Sequence, residues 1–417
     1  MSFVRLGWAT SGWGCAIPCA PSFSPSPLMG EGRGEGASAS GAPPHPARCA
    51  RHALPPGERD VGTKHSSLIA RAATLATLFA IGFVAAPRAT AAGVAEYVIQ
   101  ISVDGLGASY LQALVHDGDL PNFKRLQTEG AWTHNARTDF DYTITLPNHT
   151  CMVTSRPVMD KAAKPSAIAG HHWIINTDPG TKTIHGNRHD YVKSTFDVAH
   201  DNGLRTALFA SKSKFVLYDQ SYDAANGAPD TVGPDNGRDK IDLYVKDGDS
   251  GKLTDRLLVE MKSNPFPYSF VHFHDADSAG HAKTWGSPAY TDALKAVDGY
   301  LGRILELVTT DEKLTGKTAI IISADHGGTG LDHFYNRNPL NYTIPFYVWG
   351  AGVAQGKDLY ALNSATRADP LVGRPDYTDE GLQPVRNGDG GNLALMLLGL
   401  GPVPDSSINA SQNLNVR

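Results

Sequence analysis

The chain has 417 residues, 41% hydrophobic and 19% charged, which suits a globular protein of one large or two average domains and excludes a fibrous or wholly disordered one. A net charge of −5 provides no overall basic field for capturing nucleic acid or an anionic membrane. Four cysteines in this length exclude a disulfide scaffold.

The composition is uneven. Residues 1–91 hold 10 of the 27 prolines, three of the four cysteines (Cys15, Cys19, Cys49) and a net charge of +4, so the remainder carries −9 and a single cysteine, Cys151. Residues 1–66 are rich in Pro, Gly, Ser and Ala and show no helical or strand period. Such a segment is expected to be disordered, or to be an untranslated extension upstream of the true start. From Ala72 to Ala86 run 15 apolar or small residues after Arg71, too few for a comfortable membrane span. Pro87-Arg88 breaks the run, and Ala89-Thr90-Ala91 offers an A-x-A cleavage site. Residues 67–91 therefore read as a secretory signal peptide. The mature domain is 92–417, expected in the periplasm or secreted, with no membrane attachment after cleavage.

In the body, Tyr97–Val103, Thr206–Ala210, Ser269–Phe273, Thr318–Ser323 and Ile344–Trp349 are short apolar runs rich in β-branched residues and read as buried strands. Leu294, Val297, Leu301, Ile304, Leu305 and Val308 form a helical stripe from Pro288 to about Thr309, and Leu393–Leu398 reads as a late core helix. Strands alternating with helices predict an α/β three-layer sandwich with a mostly parallel central sheet. Residues 218–256, dense in Asp, Gly and Asn, read as an excursion from the core, an inserted cap region. Within it Asp247-Gly248-Asp249 lacks the Gly and Glu placement of a calcium loop, so a solvated turn is expected.

Three of these strands end in metal-ligand residue types: Asp104 after the first, His274-Asp275-Ala276-Asp277 and His281 after another, and Asp325-His326 after a third. Ligands of open α/β sheets bind beyond the carboxyl ends of the strands, so these ends can build one two-metal site. A single Asp-Gly turn is common; the joint occurrence carries the reading. Thr145-Leu146-Pro147-Asn148-His149 adds a helix start, since Pro suits the first turn. Thr145 is then either an N-cap or a hydroxyl nucleophile activated by a metal, with the helix N-terminus favouring an anionic substrate.

In order and spacing, Asp104-Gly105-Leu106, Thr145-Leu146-Pro147-Asn148-His149, Asp277-Ser278-Ala279-Gly280-His281 and Asp325-His326-Gly327-Gly328 resemble the alkaline phosphatase superfamily, most closely its type I phosphodiesterase/nucleotide pyrophosphatase branch. The resemblance spans roughly Tyr97 to Leu400. It implies two divalent ions, zinc or manganese, for which mixed carboxylate and imidazole ligands are suited. One would be held by Asp277, His281 and a further His, the other by Asp104, Asp325, His326 and the nucleophile Thr145. Asp275 competes with Asp277, but only Asp277 has the family spacing to His281. His272 and His274 are expected without metal contact. The nucleotide pyrophosphatases place the third His near the C-terminus, whereas the last His here is His333. Cofactor-independent phosphoglycerate mutases place it shortly after the Asp-His pair, which assigns His333. The segment Gly170-His171-His172-Trp173-Ile174-Ile175-Asn176 resembles the family's His-Gly-x-x-x-Asn, with His172 in place of Gly, and points to Asn176 as a phosphoryl-oxygen donor; Asn148 and Asn187 are its rivals.

The resemblance implies a hydrolase of small phosphodiesters or nucleotides acting through a phospho-threonine, with no stable nucleic-acid partner. The alternatives are a phosphomonoesterase, a sulfatase-like hydrolase or an inactive metal-binding relative. A sulfatase needs Cys or Ser where Thr145 stands. Diesters are expected over monoesters, because the next basic residue after Thr145 is Arg156, about three helical turns on, and no cation is evident to hold a monoester's second charge.

Overall fold

The computed structural model describes residues 93–163 and 166–417; the extension 1–66 and the signal segment 67–91 lie outside them. The first half runs β1 (Tyr97–Val103), α1 (Ala108–Asp117), α2 (Pro121–Glu129), β2 (Ala131–Arg137), α3 (Thr145–Thr154), β3 (Lys161–Ala162), β4 (Ala167–Ile168), α4 (Ile184–Arg188), α5 (Thr195–Asp201) and β5 (Thr206–Ala210). A 3-10 turn, Ser213–Phe215, then leads into α6 (Val216–Ser221), β6 (Leu243–Lys246), α7 (Ser250–Ser263), β7 (Tyr268–Phe273), α8 (Asp275–Lys283) and α9 (Pro288–Thr310). The chain ends with β8 (Thr318–Ser323), α10 (Pro339–Tyr342), β9 (Thr343–Gly350), β10 (Lys357–Asp358), α11 (Leu359–Leu362) and α12 (Asp389–Leu397).

Eight strands form one sheet in the order β10-β2-β9-β8-β1-β7-β5-β6. β8, β1, β7, β5 and β6 are mutually parallel, and β9 runs antiparallel to both β8 and β2. The five strands expected from apolar runs are all present. Every residue of β5, β7 and β8 is buried, as befits strands covered on both faces. Helices α1, α2, α7, α8 and α9 make one outer layer, and α3, α5 and α12 the other. β2 and β6 were not anticipated. β2 reads Ala-Trp-Thr-His-Asn-Ala-Arg and β6 is only partly buried, so neither shows an apolar run.

The helix expected from Pro288 to Thr309 is α9, with Ser287 accepting from the Tyr290 N–H as its cap and the apolar stripe buried. Its buried Asp298 reaches α2 and accepts from the backbone N–H groups of Asn122 and Phe123, at 3.1 and 2.8 Å. A carboxylate there satisfies donors that a helix start leaves free.

The acidic stretch 218–256 is only partly an excursion. Residues 222–242 form a loop, but the chain then re-enters the sheet as β6, parallel to β5, and continues into α7. Its aspartates serve this packing. The fully buried Lys240 pairs with Asp230 and with Asp201 of α5, 3.3 Å away. Asp249 caps α7 by accepting from Gly251 N and Lys252 N, so Asp247–Asp249 is a turn and helix start rather than an ion loop. A different excursion, residues 155–193 with the β3–β4 hairpin, carries Asn176.

Candidate active site

The carboxyl ends of β1, β7 and β8 lie side by side because these strands are neighbours in parallel register. β1 delivers Asp104, β7 leads into α8 with Asp277 and His281, and β8 leads to Asp325 and His326. Two backbone bonds and one from backbone to carboxylate weld the three ends. Asp104 N donates to Phe273 O (2.9 Å), Asp277 N to Asp104 O (3.0 Å) and Gly105 N to Asp325 Oδ1 (3.1 Å). Gly105 has φ +74°, and a Cβ there would stand 2.8 Å from Asp277 Cα, so the Asp-Gly turn is what lets α8 approach β1 this closely.

Asp104, Asp277, Asp325, His326 and His333 are all buried. The oxygens and imidazole nitrogens of Asp277, His326 and His333 lie within 4.8 Å of one another, as do those of Asp104, Asp325 and His326. His281 joins the first group, its Nε2 3.3 Å from Asp277 Oδ1 and 3.2 Å from His333 Nε2. Each histidine is oriented by a carbonyl. Nδ1 of His281 contacts Leu331 O at 2.8 Å, Nδ1 of His326 contacts Gly327 O at 2.8 Å, and Nδ1 of His333 contacts Thr143 O at 2.5 Å. A carbonyl only accepts, so Nδ1 carries the proton and Nε2 faces the cluster, the arrangement a metal-ligating histidine needs.

Charges are unbalanced within this cluster. Burial opposes ionisation of Asp104, yet Lys212, His272 and His326 hold its carboxyl well below the usual carboxylate range. Asp277 is likewise lowered against its burial and the Asp104 charge, through His281, Lys212 and His326. Burial would lower His326, but Asp325, Asp104 and Asp277 raise it to about 9. Burial, with the neighbouring His326 charge, depresses His333 to about 3, so its Nε2 keeps a lone pair at neutral pH.

Four buried atoms, Asp104 Oδ1, Asp277 Oδ1, Asp325 Oδ2 and His326 Nε2, make no well-directed hydrogen bond among the described residues, although His326 Nε2 lies 3.1 Å from Asp325 Oδ2 and 3.5 Å from Asp104 Oδ1 as an ion-pair contact. Buried polar atoms are seldom left unpaired. Three carboxylates and three imidazoles converging with unpaired acceptors form a donor set that fits divalent cations of the zinc or manganese type.

Thr145 is the first residue of α3 rather than its cap. Ile144 occupies the N-cap position and has no side-chain bond to offer the helix. The capping role is therefore removed. Thr145 is nearly fully buried and is tied to the cluster through His149, whose Nδ1 lies 2.8 Å from Thr145 O and 3.5 Å from Asp325 Oδ2. Asn176 sits at the same helix start, its Oδ1 accepting from Leu146 N (2.9 Å) and from Lys214 Nζ (3.0 Å). Two donors on one side fix the amide orientation and leave Nδ2 as the free donor. The rivals are occupied elsewhere. Asn148 Oδ1 accepts from Asp139 N and Asn387 Nδ2 while its Nδ2 donates to Tyr142 O and Ile144 O, and Asn187 Nδ2 donates to His172 O.

Asp275 turns away to Ser250 Oγ, 2.5 Å. His272 is buried against Asp104 Oδ2 at 2.9 Å, an anchor of that carboxylate, and His274 bonds Ser278 Oγ and Gly248 O outside the cluster.

The expectation that no cation stands near Thr145 is corrected. Arg156 is indeed remote, bonded to Pro404 O and Asp405. But Lys212 Nζ bridges Asp104 Oδ2 (2.7 Å) and Asp277 Oδ2 (2.6 Å), and Lys214 reaches Asn176. Both follow β5, the strand beside β7. Ser211-Lys212-Ser213-Lys214 after the apolar run Thr206–Ala210 was the signal: a fourth strand end at the same sheet edge.

Among solved structures, murine ectonucleotide pyrophosphatase/phosphodiesterase 5, in an inactive form in complex with AMP, superposes with a TM-score of 0.50 at 12% identity, covering 74% of this chain and 96% of that one. The likeness is one of fold, the alkaline phosphatase-like sandwich. GPI ethanolamine phosphate transferase 1 of Mus musculus is 30% identical over 145 residues, 33% of this chain and 15% of the transferase. Its counterpart in Aspergillus oryzae is 29% identical over 157 residues, 36% of this chain and 14% of that protein. The chain thus matches about a seventh of the length of either transferase. Residues 98–345, more than half of the chain, match the family model for type I phosphodiesterase / nucleotide pyrophosphatase. They include every cluster residue from Asp104 to His333, and the chain belongs to that family.

Proposed function

We propose that the protein is a metal-dependent phosphoester hydrolase that works through a phosphorylated Thr145. The observation that carries this reading is the set of four buried atoms without a well-directed hydrogen bond, linked through His149 to a helix-start threonine whose hydroxyl caps nothing. Asp277, His281 and His333 would hold one divalent ion, and Asp104, Asp325 and His326 the other. Such ions would lower the pKa of the threonine hydroxyl and stabilise the departing oxygen.

The chain's own groups define the course of the reaction. Thr145 Oγ1 forms a bond to phosphorus as the bond from phosphorus to the leaving oxygen breaks. The hydroxyl proton passes to solvent, and the leaving group departs as an alcohol after taking up a proton. Asn176 Nδ2 and the backbone N–H of Thr145 donate to the phosphoryl oxygens, where negative charge gathers. Water then forms a new bond to phosphorus as the Thr145 Oγ1–phosphorus bond breaks, and a proton restores the hydroxyl. His149 holds the Thr145 carbonyl, which fixes the nucleophile's backbone.

The test is an acid quench of the zinc- or manganese-loaded protein during turnover of a nitrophenyl phosphoester, followed by mass spectrometry. Phosphate on Thr145 is the expected result. Turnover with an unmodified Thr145 and phosphate on another residue would sink the reading. A second reading, phosphoryl transfer to an alcohol in place of water, draws support from the similarity to ethanolamine phosphate transferases. It would appear as an alkyl phosphate product. We further propose export through residues 67–91, and N-terminal sequencing of the exported protein should begin within a few residues of Ala92. An exported protein that retains Met1 would refute it.

A further inference from the structure

The loop between β8 and α10 presents an apolar surface at the edge of the cluster. His333 is its buried member, and around it Leu331, Phe334 and Tyr335 are 55%, 62% and 64% exposed. Single exposed apolar side chains are ordinary. Three within a five-residue stretch of loop, where polar residues usually stand, are not. The backbone beneath them is fixed. Thr329 and Asp332 pair as a bridge, His281 Nδ1 donates to Leu331 O (2.8 Å), Asn336 Nδ2 donates to Asp141 O (2.6 Å), and Asn341 Nδ2 donates to Tyr335 O (3.1 Å). The acid between them, Asp332, turns back on the loop, its Oδ1 accepting from Phe334 N at 3.2 Å. A fixed frame therefore holds these side chains out into solvent.

Phe334 marks where this surface lies. Its ring is 4.8 Å from that of His333 and 6.4 Å from that of His281, so it borders the Asp277–His281–His333 side of the cluster. Thr145 is tied to the other side, through His149 and Asp325. In an in-line displacement the attacking and leaving oxygens stand on opposite sides of phosphorus. Attack from Thr145 Oγ1 then sends the leaving oxygen toward His281 and His333, and the group attached to it onto Phe334. A partner protein seated there would close the cluster to its substrate.

We propose that Leu331, Phe334 and Tyr335 bind the leaving group, and that the substrate is a phosphoester of an apolar alcohol with an extended hydrocarbon chain. The assignment rests on the phospho-Thr145 reading and adds to it the nature of the departing alcohol. As the bond from Thr145 Oγ1 to phosphorus forms, the bond from phosphorus to the alkyl oxygen breaks. That oxygen takes up a proton, and the alcohol leaves across these three side chains.

The experiment measures kcat/KM on the metal-loaded protein for ethyl, butyl and octyl phosphates below micellar concentration, or for the dialkyl phosphates if those turn over faster. The alcohols are of similar acidity, so intrinsic reactivity stays level while apolar surface grows. For the wild type kcat/KM should rise roughly 2-fold per added methylene, half the free energy of full burial, because the surface covers one side of the chain. Phe334→Ser and Leu331→Ser should each flatten that slope, and Phe334→Leu, still apolar, should keep most of it. Independently of turnover, calorimetry should show octylphosphonate binding more tightly than ethylphosphonate, with the difference lost in Phe334→Ser. A wild type without a slope would overturn the proposal. So would a Phe334→Ser variant that loses activity equally on every ester, since Phe334 would then only support His333. A flat series with co-sedimentation on phosphatidylcholine vesicles would give the surface to a lipid bilayer and overturn it as well. Failure of the parent reading is separate, since it would show as phosphate missing from Thr145 in the acid quench.

Discussion

Thr145→Ala is expected to lower kcat by roughly 10⁴-fold or more, the scale seen when a hydroxyl nucleophile is removed, while fold and metal content stay close to wild type. The side chain makes no hydrogen bond that the helix needs, since Ile144 is the N-cap and the cap carries no side-chain bond. Alanine also favours the helical conformation more than threonine does. A structural penalty should therefore be small, and a melting curve near that of the wild type would show it. Thr145→Ser should retain measurable turnover, because serine presents a hydroxyl from the same position. Wild-type turnover by Thr145→Ala would mean that Thr145 is only the first residue of a helix.

The second large effect concerns the cluster. Chelation should abolish turnover, and zinc or manganese should restore it. His333→Ala should reduce bound metal from about two ions per chain toward one, because a three-ligand site that loses a ligand binds poorly. His333 is also packed against the ring of His326 at 3.5 Å, so its removal disturbs the core. His281→Ala is the milder companion. The side chain of His281 is 38% exposed and its loss leaves no buried cavity, yet it should lower the same metal affinity. Unchanged stoichiometry in both variants would place the ligands elsewhere.

The pH dependence of metal uptake follows from His326. Its folded pKa, raised to about 9, keeps it cationic at neutral pH in the metal-free protein. A bound divalent ion must displace that proton. Uptake at pH 7 should then release at least one proton per chain, from His326 and in part from His281, whose bond to Asp277 also raises its pKa, and affinity should rise with pH until it levels near pH 9. Calorimetry in two buffers of different ionisation enthalpy measures the release. No release at pH 7 would mean that His326 is neutral before metal arrives.

What the sequence disclosed and concealed follows from geometry. β1, β7 and β8 are buried on both faces, so each is written as a mostly apolar run with few polar interruptions, and the acid or histidine that follows the run stands out. Asp104, Asp277, Asp325 and His326 were legible for that reason. His333 was legible only through its position in the chain, since nothing in Leu331-Asp332-His333 announces that its ring would be clamped by Thr143 from 190 residues away. Lys212 and Lys214 were concealed by strand order. A lysine pair in a polar turn ordinarily reads as a solvated loop, and only the placement of β5 beside β7 turns it toward Asp104 and Asn176. The acidic stretch 218–256 misled because aspartates that pair with Lys240 or cap α7 have the same composition as aspartates left in water.

The sheet order bears also on how the chain is made. β1 is the first strand of the described fold to be synthesised, yet both of its neighbours, β7 and β8, come more than 160 residues later. At a synthesis rate of about 5–20 residues per second, some ten to thirty seconds separate β1 from its earlier partner. Throughout that interval Val98-Ile99-Gln100-Ile101-Ser102-Val103 has two open edges, and the layers that will cover it are incomplete, since α7, α8, α9 and α12 are still to come or only just made. An apolar strand in that state is a template for pairing with other chains. The strand that carries Asp104 to the centre of the site is thus also an apolar segment with a long wait for its partners, and β2, whose neighbours β9 and β10 follow more than 200 residues later, waits longer still.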